Sequence, residues 1–235
     1  MGRRSNPSSA TIYLLAGLGT YLFCSLAFGS AALRPPLNYS NERVLLIGDS
    51  LATQPGIGSR LSSGLQSRGV GAFQNISVGG TNILQWSDNR YAEGQAMERA
   101  LADFRPTLVL ISLGTNDEAS RGYKNWRGRD WDADDLAANR VGPNADIAAQ
   151  RRSAIERLAR KLSGVKSVWL GPPASDPSLW PMDRNFRRLL ADTWGQRYFN
   201  TEAVAPAKGS DGIHLSGSGY QTWANAILAF LDAGI

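Results

Sequence analysis

Thr107-Leu-Val-Leu-Ile-Ser-Leu113, running into Gly114-Thr-Asn-Asp117, is the stretch on which the fold turns. Residues 107–113 carry no charge, are rich in Leu, Ile and Val, and are bounded by Pro106 and Gly114. That is the signature of a strand buried on both faces, as in parallel sheets. Upstream, Val44-Leu-Leu-Ile-Gly48 repeats the pattern, and Val70 to Val78 gives a weaker strand ended by Gly79-Gly80. Between these lie two amphipathic stretches. One is a helix expected over Ile57 to Arg68, ended by Gly69; the other is Glu93 to Phe104, stopped by Pro106. Downstream, Asn144 is expected to cap a helix from Ala145 to about Leu162, followed by a strand at Ser167–Leu170. A helix over Asp183–Trp194, a short fifth strand over Arg197–Asn200 and a closing helix over Gly219–Leu231 complete the series. Five strand–helix alternations predict a three-layer α/β domain on a parallel sheet, with its site at the carboxyl ends of the strands. The 26 or so residues from Glu118 to Pro143 show no period, and a connection that long is usually functional or mobile.

The chain has 235 residues, 43% hydrophobic and 19% charged, which suits a globular domain of about 200 residues after an N-terminal segment is set aside. Net charge is +5, and residues 33–235 carry +3, scattered rather than in blocks. No nucleic-acid motif accompanies it, so no nucleic-acid partner is expected. The single cysteine, Cys24, excludes an intramolecular disulfide, and the single histidine, His214, excludes a two-histidine metal site. A carboxylate-only magnesium or calcium site stays open without an EF-hand spacing to support it. No cofactor and no metal are expected.

Arg3 and Arg4 precede an uncharged run, of which Ile12 to Phe28 is the most apolar part at 17 residues. That is short for a spanning helix and slightly long for a signal-peptide core. Residues 1–33 therefore read as a membrane anchor or a signal peptide, with Gly29-Ser-Ala-Ala32 as a cleavage patch in the second case, and a buried helix as the plainer alternative. Residues 34–42, with Pro35 and Pro36, read as an extended linker, and 43–235 as the domain. Positive charge ahead of the segment places the domain outside the cytoplasm, anchored or secreted.

Four short motifs carry chemistry. Gly48-Asp49-Ser50 sits just after the first strand, where a serine at a strand-to-helix turn is exposed beside a backbone donor. Alone it is equally a good turn. Asp211-Gly-Ile-His214 sets a carboxylate three residues before the imidazole, close enough to orient it as a base. Gly114-Thr-Asn116-Asp117 offers the neutral amide donor of Asn116 at the sheet edge. Asn75-Ile-Ser-Val-Gly79-Gly80-Thr81 offers a glycine backbone amide that a substrate can approach closely.

Taken along the chain, Ser50, then Gly80, then Asn116, then Asp211 with His214, these blocks resemble the SGNH or GDSL family of serine hydrolases, over essentially all of Val44 to Leu231. The resemblance implies a three-layer flavodoxin-like fold, a five-stranded parallel sheet in order 2-1-3-4-5. It also implies a triad of Ser50, Asp211 and His214 and an oxyanion hole from the amides of Ser50 and Gly80 and the side chain of Asn116. Gly80 is preferred to Gly79 because it stands five after Asn75. The chain has no Gly-x-Ser-x-Gly, which argues against the lipase-type α/β-hydrolase fold.

The expected activity is ester hydrolysis on a small acyl ester or an acylated glycan. An O-acyltransferase on envelope glycan with the same residues, a lipolytic esterase and a non-catalytic binding protein are the alternatives. Trp126 and Trp131, interleaved with arginines after Asn116, suit stacking on sugar rings, against the plainer reading of a solvated loop. Removal of short acyl groups, such as acetyl, from a carbohydrate is the reading favoured.

Overall fold

The computed structural model of the chain describes residues 38–53, 55–119, 141–176 and 182–235, all within one unit, Pro36–Ile235. Segment 1–33, most of the linker, and Trp126 and Trp131 lie outside the described residues.

Five strands, β1 (Arg43–Gly48), β2 (Ala72–Asn75), β3 (Leu108–Ser112), β4 (Lys166–Leu170) and β5 (Tyr198–Phe199), form one sheet in the order 2-1-3-4-5. Every adjacent pair is parallel. The helices are α1 (Ile57–Gln66), α2 (Ile83–Ser87), α3 (Ala92–Asp103), α4 (Thr115–Glu118), α5 (Val141–Lys161), α6 (Arg184–Trp194) and α7 (Gly217–Asp232), with short 3-10 turns at Tyr39–Asn41, Gly195–Arg197 and Thr201–Ala203. This is the expected three-layer architecture.

The near-continuous apolar strands are explained by burial on both faces. Val44, Leu46, Leu108, Leu110, Val168 and Leu170 join a core with α1 and α7. Leu45, Ile47, Val109, Ile111 and Trp169 join the opposite core with residues of α2, α3, α5 and α6. In α1 the buried residues Ile57, Leu61 and Leu65 recur every four positions, which lays one helical stripe on the sheet. In α7, Tyr220, Trp223, Ala224, Ile227, Leu228 and Leu231 do the same, and Ser216 caps the helix by accepting from the Gly219 amide. Each fully buried side chain of this kind contributes about 1.5–3 kcal/mol.

The register places the site. Gly48 pairs with Ser112, so β1 and β3 end at the same level, and the residues just beyond them emerge side by side. Between these two strands the order of connections reverses, which opens a crevice in sheets of this kind. A Cβ on Gly48 would lie 2.5 Å from the Ala52 Cβ and 2.6 Å from the Ser112 carbonyl oxygen, so only glycine lets the chain turn this closely.

Several boundaries differ from the sequence-based expectations. The second strand spans Ala72–Asn75 rather than Val70–Val78, and all four residues are only half-buried, as suits an edge. The chain after it still bonds to β1, from Ile76 N to Leu46 O and from Val78 N to Gly48 O, both 3.0 Å. Helix α5 begins at Val141, so Asn144 lies inside it and is not its cap. Proline at 143 is compatible because the first helical turn needs no intrahelical N–H bond. The short helices α2 and α4 were not anticipated. They are one-turn elements held by capping and tertiary bonds, without the apolar period of a longer helix.

Candidate active site

Ser50 sits half-buried in the turn that leaves β1. Asp49 builds that turn: its carbonyl accepts from the Ala52 amide at 3.0 Å, and its Oδ1 accepts from the Leu51 amide at 3.0 Å. Thr53 Oγ1 donates to the Ser50 carbonyl at 2.8 Å. The Ser50 side chain takes no part in locking the turn and faces His214.

His214 reaches it from the other end of the sequence. Its Nε2 lies 2.9 Å from Ser50 Oγ, and its Nδ1 lies 2.6 Å from Asp211 Oδ2. The second Asp211 oxygen accepts from the backbone amides of Ile213 at 3.0 Å and His214 at 2.8 Å. One carboxylate therefore shapes the loop with Oδ1 and orients the ring with Oδ2. Gly212, at φ +69°, provides the left-handed residue this tight loop needs. The loop is fastened at its base by the Lys208–Leu215 bridge and by the Gly209 amide donating to the His214 carbonyl at 2.8 Å. From the neighbouring loop after β4, the Asp176 amide donates to the Gly212 carbonyl at 2.9 Å.

The electrostatics follow from these bonds. Asp211 is held at about 2, chiefly by its hydrogen bond to the His214 ring and then by the two backbone amides. It stays anionic at neutral pH, so Nδ1–H donates to it and Nε2 keeps its lone pair towards the Ser50 hydroxyl. Asp49, by contrast, is buried and its carboxyl is pushed up to about 7 by loss of hydration, with nearby Asp117 raising it further against the pull of the Leu51 and Thr115 backbone.

Asn116 lies in α4, directly after β3, and is buried. Its side-chain amide donates to the Thr81 carbonyl at 2.8 Å. An amide nitrogen has two hydrogens, so this bond fixes the group and leaves the second hydrogen for another acceptor. Thr81 belongs to the segment running against the end of β1, where its hydroxyl donates to the Val78 carbonyl at 2.8 Å and itself accepts from Trp86 Nε1 at 2.9 Å. Asp117 ties the same segment one step further on, accepting from the Ile83 amide at 3.1 Å. Gly79 in that segment abuts Ser50, and Gly80 takes φ +79°.

The residues singled out by sequence within the described part thus gather around the carboxyl ends of β1 and β3. Ser50, His214 and Asp211 form one hydrogen-bonded chain. Asn116 is fixed to the loop carrying Gly79 and Gly80, which flanks Ser50. Such a set can pass a proton from a serine hydroxyl to an imidazole and present neutral donors to a developing negative charge. Sequence reasoning missed the turn-forming role of Asp49 and the locking bonds of Thr81 and Asp117. Their signal was position alone, next to the motif residues. Among the described residues no helix is long and apolar enough to cross a membrane, and no group of three or more His, Cys, Asp or Glu could hold a metal ion.

Known proteins share this sequence pattern and this fold. An acetylxylan esterase of Xylanibacter ruminicola is 27% identical over 208 residues, which are 80% of this chain but only 42% of that protein, so the chain spans well under half of this relative's length. Among solved structures, an acetyl xylan esterase of Geobacillus stearothermophilus superposes with a TM-score of 0.58 at 17% identity, covering 83% of this chain and 97% of that one. A lipase/acylhydrolase of Enterococcus faecalis gives 0.53 at 16% identity, covering 80% and 94%. These likenesses show the shared fold. The family model for GDSL-like lipases and acylhydrolases matches residues 46–222, which contain the Ser50 turn, β3 with Asn116, and the Asp211–His214 loop. The chain belongs to the GDSL-like lipase/acylhydrolase family.

Proposed function

We propose that this protein is a serine esterase that removes small acyl groups, acetyl above all, from a carbohydrate. The observation that carries the reading is the unbroken chain from Ser50 Oγ to His214 Nε2 at 2.9 Å and from His214 Nδ1 to Asp211 at 2.6 Å. Ser50 Oγ attacks the ester carbonyl while its proton passes to His214 Nε2. The oxyanion is held by the amides of Ser50 and Gly80 and by the Asn116 side chain. Collapse expels the alcohol, which takes the proton back from His214. Water then attacks the acyl-serine, again giving its proton to His214, and the acid leaves Ser50 free. The His214 side chain is 42% exposed, so water has direct access to the base for the second half of the reaction.

The carbohydrate part of the reading is supported by the acetylxylan esterase relative and by the sequence of the segment after Asn116. There Trp126 and Trp131 stand among arginines, with no Leu, Ile, Val, Phe or Met between Asp117 and Asp135. The basic and then apolar character of residues 1–33 supports an extracytoplasmic domain, anchored or secreted. The test is a chain-length series of aryl esters beside an acetylated polysaccharide, on wild type and Ser50→Ala. Release of acetate by wild type and none by a folded Ser50→Ala is expected. Rates peaking at acyl chains of eight or more carbons would sink the substrate reading, and an active Ser50→Ala would sink the catalytic one.

A further inference from the structure

Helix α4, which carries Asn116, is a single turn, and a single turn does not hold itself in place. Its position is set by what its side chains reach, and three consecutive residues reach three different anchors. Asn116 bonds the Thr81 carbonyl, Asp117 accepts from the Ile83 amide, and Glu118 receives the guanidinium of Arg187. The last contact is two-pronged, with Arg187 Nε 2.5 Å from Glu118 Oε1 and Nη2 2.8 Å from Oε2.

Arg187 and Glu118 are both buried, 4% and 3% exposed. Arg187 Nη1 also donates to the Pro172 carbonyl at 2.7 Å and to Glu202 at 3.0 Å, and Nη2 to the Pro173 carbonyl at 3.2 Å. All five donors of the planar fork are occupied, which fixes the group in one orientation. It joins α4 to the loop after β4 and to the 3-10 turn at Thr201–Ala203. The other end of α4 rests on the same parts: a Cβ on Gly114 would stand 3.1 Å from Pro172 Cγ and 3.3 Å from Phe186 Cε1. Arg151 completes the clamp by donating to the carbonyls of Asp117 and Glu118.

We propose that Arg187 is a positioning residue for the reaction: through its two-pronged bond to Glu118 it holds α4 so that the Asn116 amide stays on the oxyanion. The inference rests on the catalytic reading above. Charge alone does not do this, because a lysine supplies a point charge without the fork. The Pro172 and Pro173 carbonyls give the fork a fixed base, and Glu118 transmits its position two residues along one helical turn. An amide displaced by even about 1 Å stabilises the transition state far less than it does in place.

The experiment is a pair of double-mutant cycles read in kcat and KM with 4-nitrophenyl acetate. Arg187→Lys and Glu118→Gln are each made in the wild-type and the Asn116→Ala backgrounds, with circular dichroism confirming folding. Glu118→Gln keeps shape and one accepting oxygen, and it serves as the readout should Arg187→Lys not fold. Each single variant is expected to lose about tenfold in kcat with KM within about twofold, and to change kcat less than about twofold once Asn116 is already Ala. Losses that multiply in the Asn116→Ala background, or an unchanged kcat in a folded single variant, overturn the proposal. Wild-type kcat in Asn116→Ala alone, or activity in Ser50→Ala, instead overturns the catalytic reading beneath it, so the two failures are distinguishable.

Discussion

A Cβ built on Gly79 would stand 3.8 Å from the Cβ of Ser50 and 4.0 Å from its Cα, with no other neighbour inside 4 Å beyond the adjoining chain. Ordinary van der Waals distance means that alanine fits there, and Gly79 does not need a left-handed backbone. Gly80 next to it is the reverse case: open space around it, but φ at +79°, where an L side chain is strained. The two glycines therefore serve different ends, room beside the nucleophile and conformation. Gly79→Ala is expected to melt like wild type and to lower kcat/KM several-fold, more for bulky esters than for acetate. Gly80→Ala is expected to cost about 1 kcal/mol of stability, roughly 2–4 °C in a domain of this size. Thermal melts beside a short ester series check both, and a destabilised Gly79→Ala with normal kinetics would refute the distinction.

Asp211 offers a separable pair of roles. Its Oδ1 shapes the loop through two backbone amides and its Oδ2 orients the imidazole. Asparagine can keep the first role, but its NH2 facing Nδ1 turns the ring to the tautomer that cannot accept from Ser50. Asp211→Asn is expected to remain folded while kcat falls by about 10²–10⁴. Because the folded carboxyl is held at about 2, below its ordinary 3.8, the contact stabilises the native state above the ordinary value. That contribution is lost as pH falls from about 4 to about 2. The carboxylate is half exposed, so the effect on stability is small and the effect on rate is the one to measure. A kcat within tenfold of wild type would remove Asp211 from the triad.

Asn116 gives a sharper test than alanine alone. Removing one oxyanion donor costs about 10²–10³ in kcat, which is the loss expected of Asn116→Ala. Asn116→Asp keeps the size but replaces a donor to the Thr81 carbonyl with an acceptor. It would also set a carboxylate against the developing oxyanion, so its kcat is expected to fall below that of Asn116→Ala at neutral pH. Equal rates for the two would mean that Asn116 serves the turn and not the reaction.

How far the sequence reached depends on whether the cause was local. The uncharged runs at Val44–Gly48 and Thr107–Leu113 predicted the central strands because burial on both faces leaves no other pattern. The motif residues were legible because parallel strands deliver their ends to one edge. The clamp behind Asn116 was not read, although a trace of it is there. In α5 the buried positions Ile147, Ala154, Ile155 and Leu158 trace one stripe, and Arg151 falls on it; in α6, Arg187 falls among Phe186, Leu190 and Trp194. An arginine on an apolar stripe must find a buried partner. Which one could not be read, since Glu118 lies 69 residues from Arg187 and only the packed fold brings them together. Helices α2 and α4 escaped for a similar reason, being fixed by tertiary bonds rather than by periodicity.

Asp49 supplies the last prediction. It is 1% exposed, directly precedes Ser50, and its Oδ2 meets no hydrogen-bond partner. Burial, with Asp117 nearby, moves its carboxyl from 3.8 to about 7. The sign follows from proton counting. Between about 4 and 7 the unfolded chain has released this proton and the native state still holds it, so native stability falls as pH rises through that window. Above about 7 both states are ionised and the dependence on this group ends. Asp49→Asn removes the titration while its Oδ1 can still accept from the Leu51 amide, and the amide nitrogen replaces an oxygen that had no partner. The variant should therefore match wild type near pH 4, gain on it up to about pH 7 and hold a constant lead above that, of roughly 10 °C in Tm. Melting curves of the two proteins at intervals from pH 4 to 8 measure this directly. Parallel pH profiles would show that Asp49 is ionised in the native state throughout, with its charge compensated by the turn amides alone.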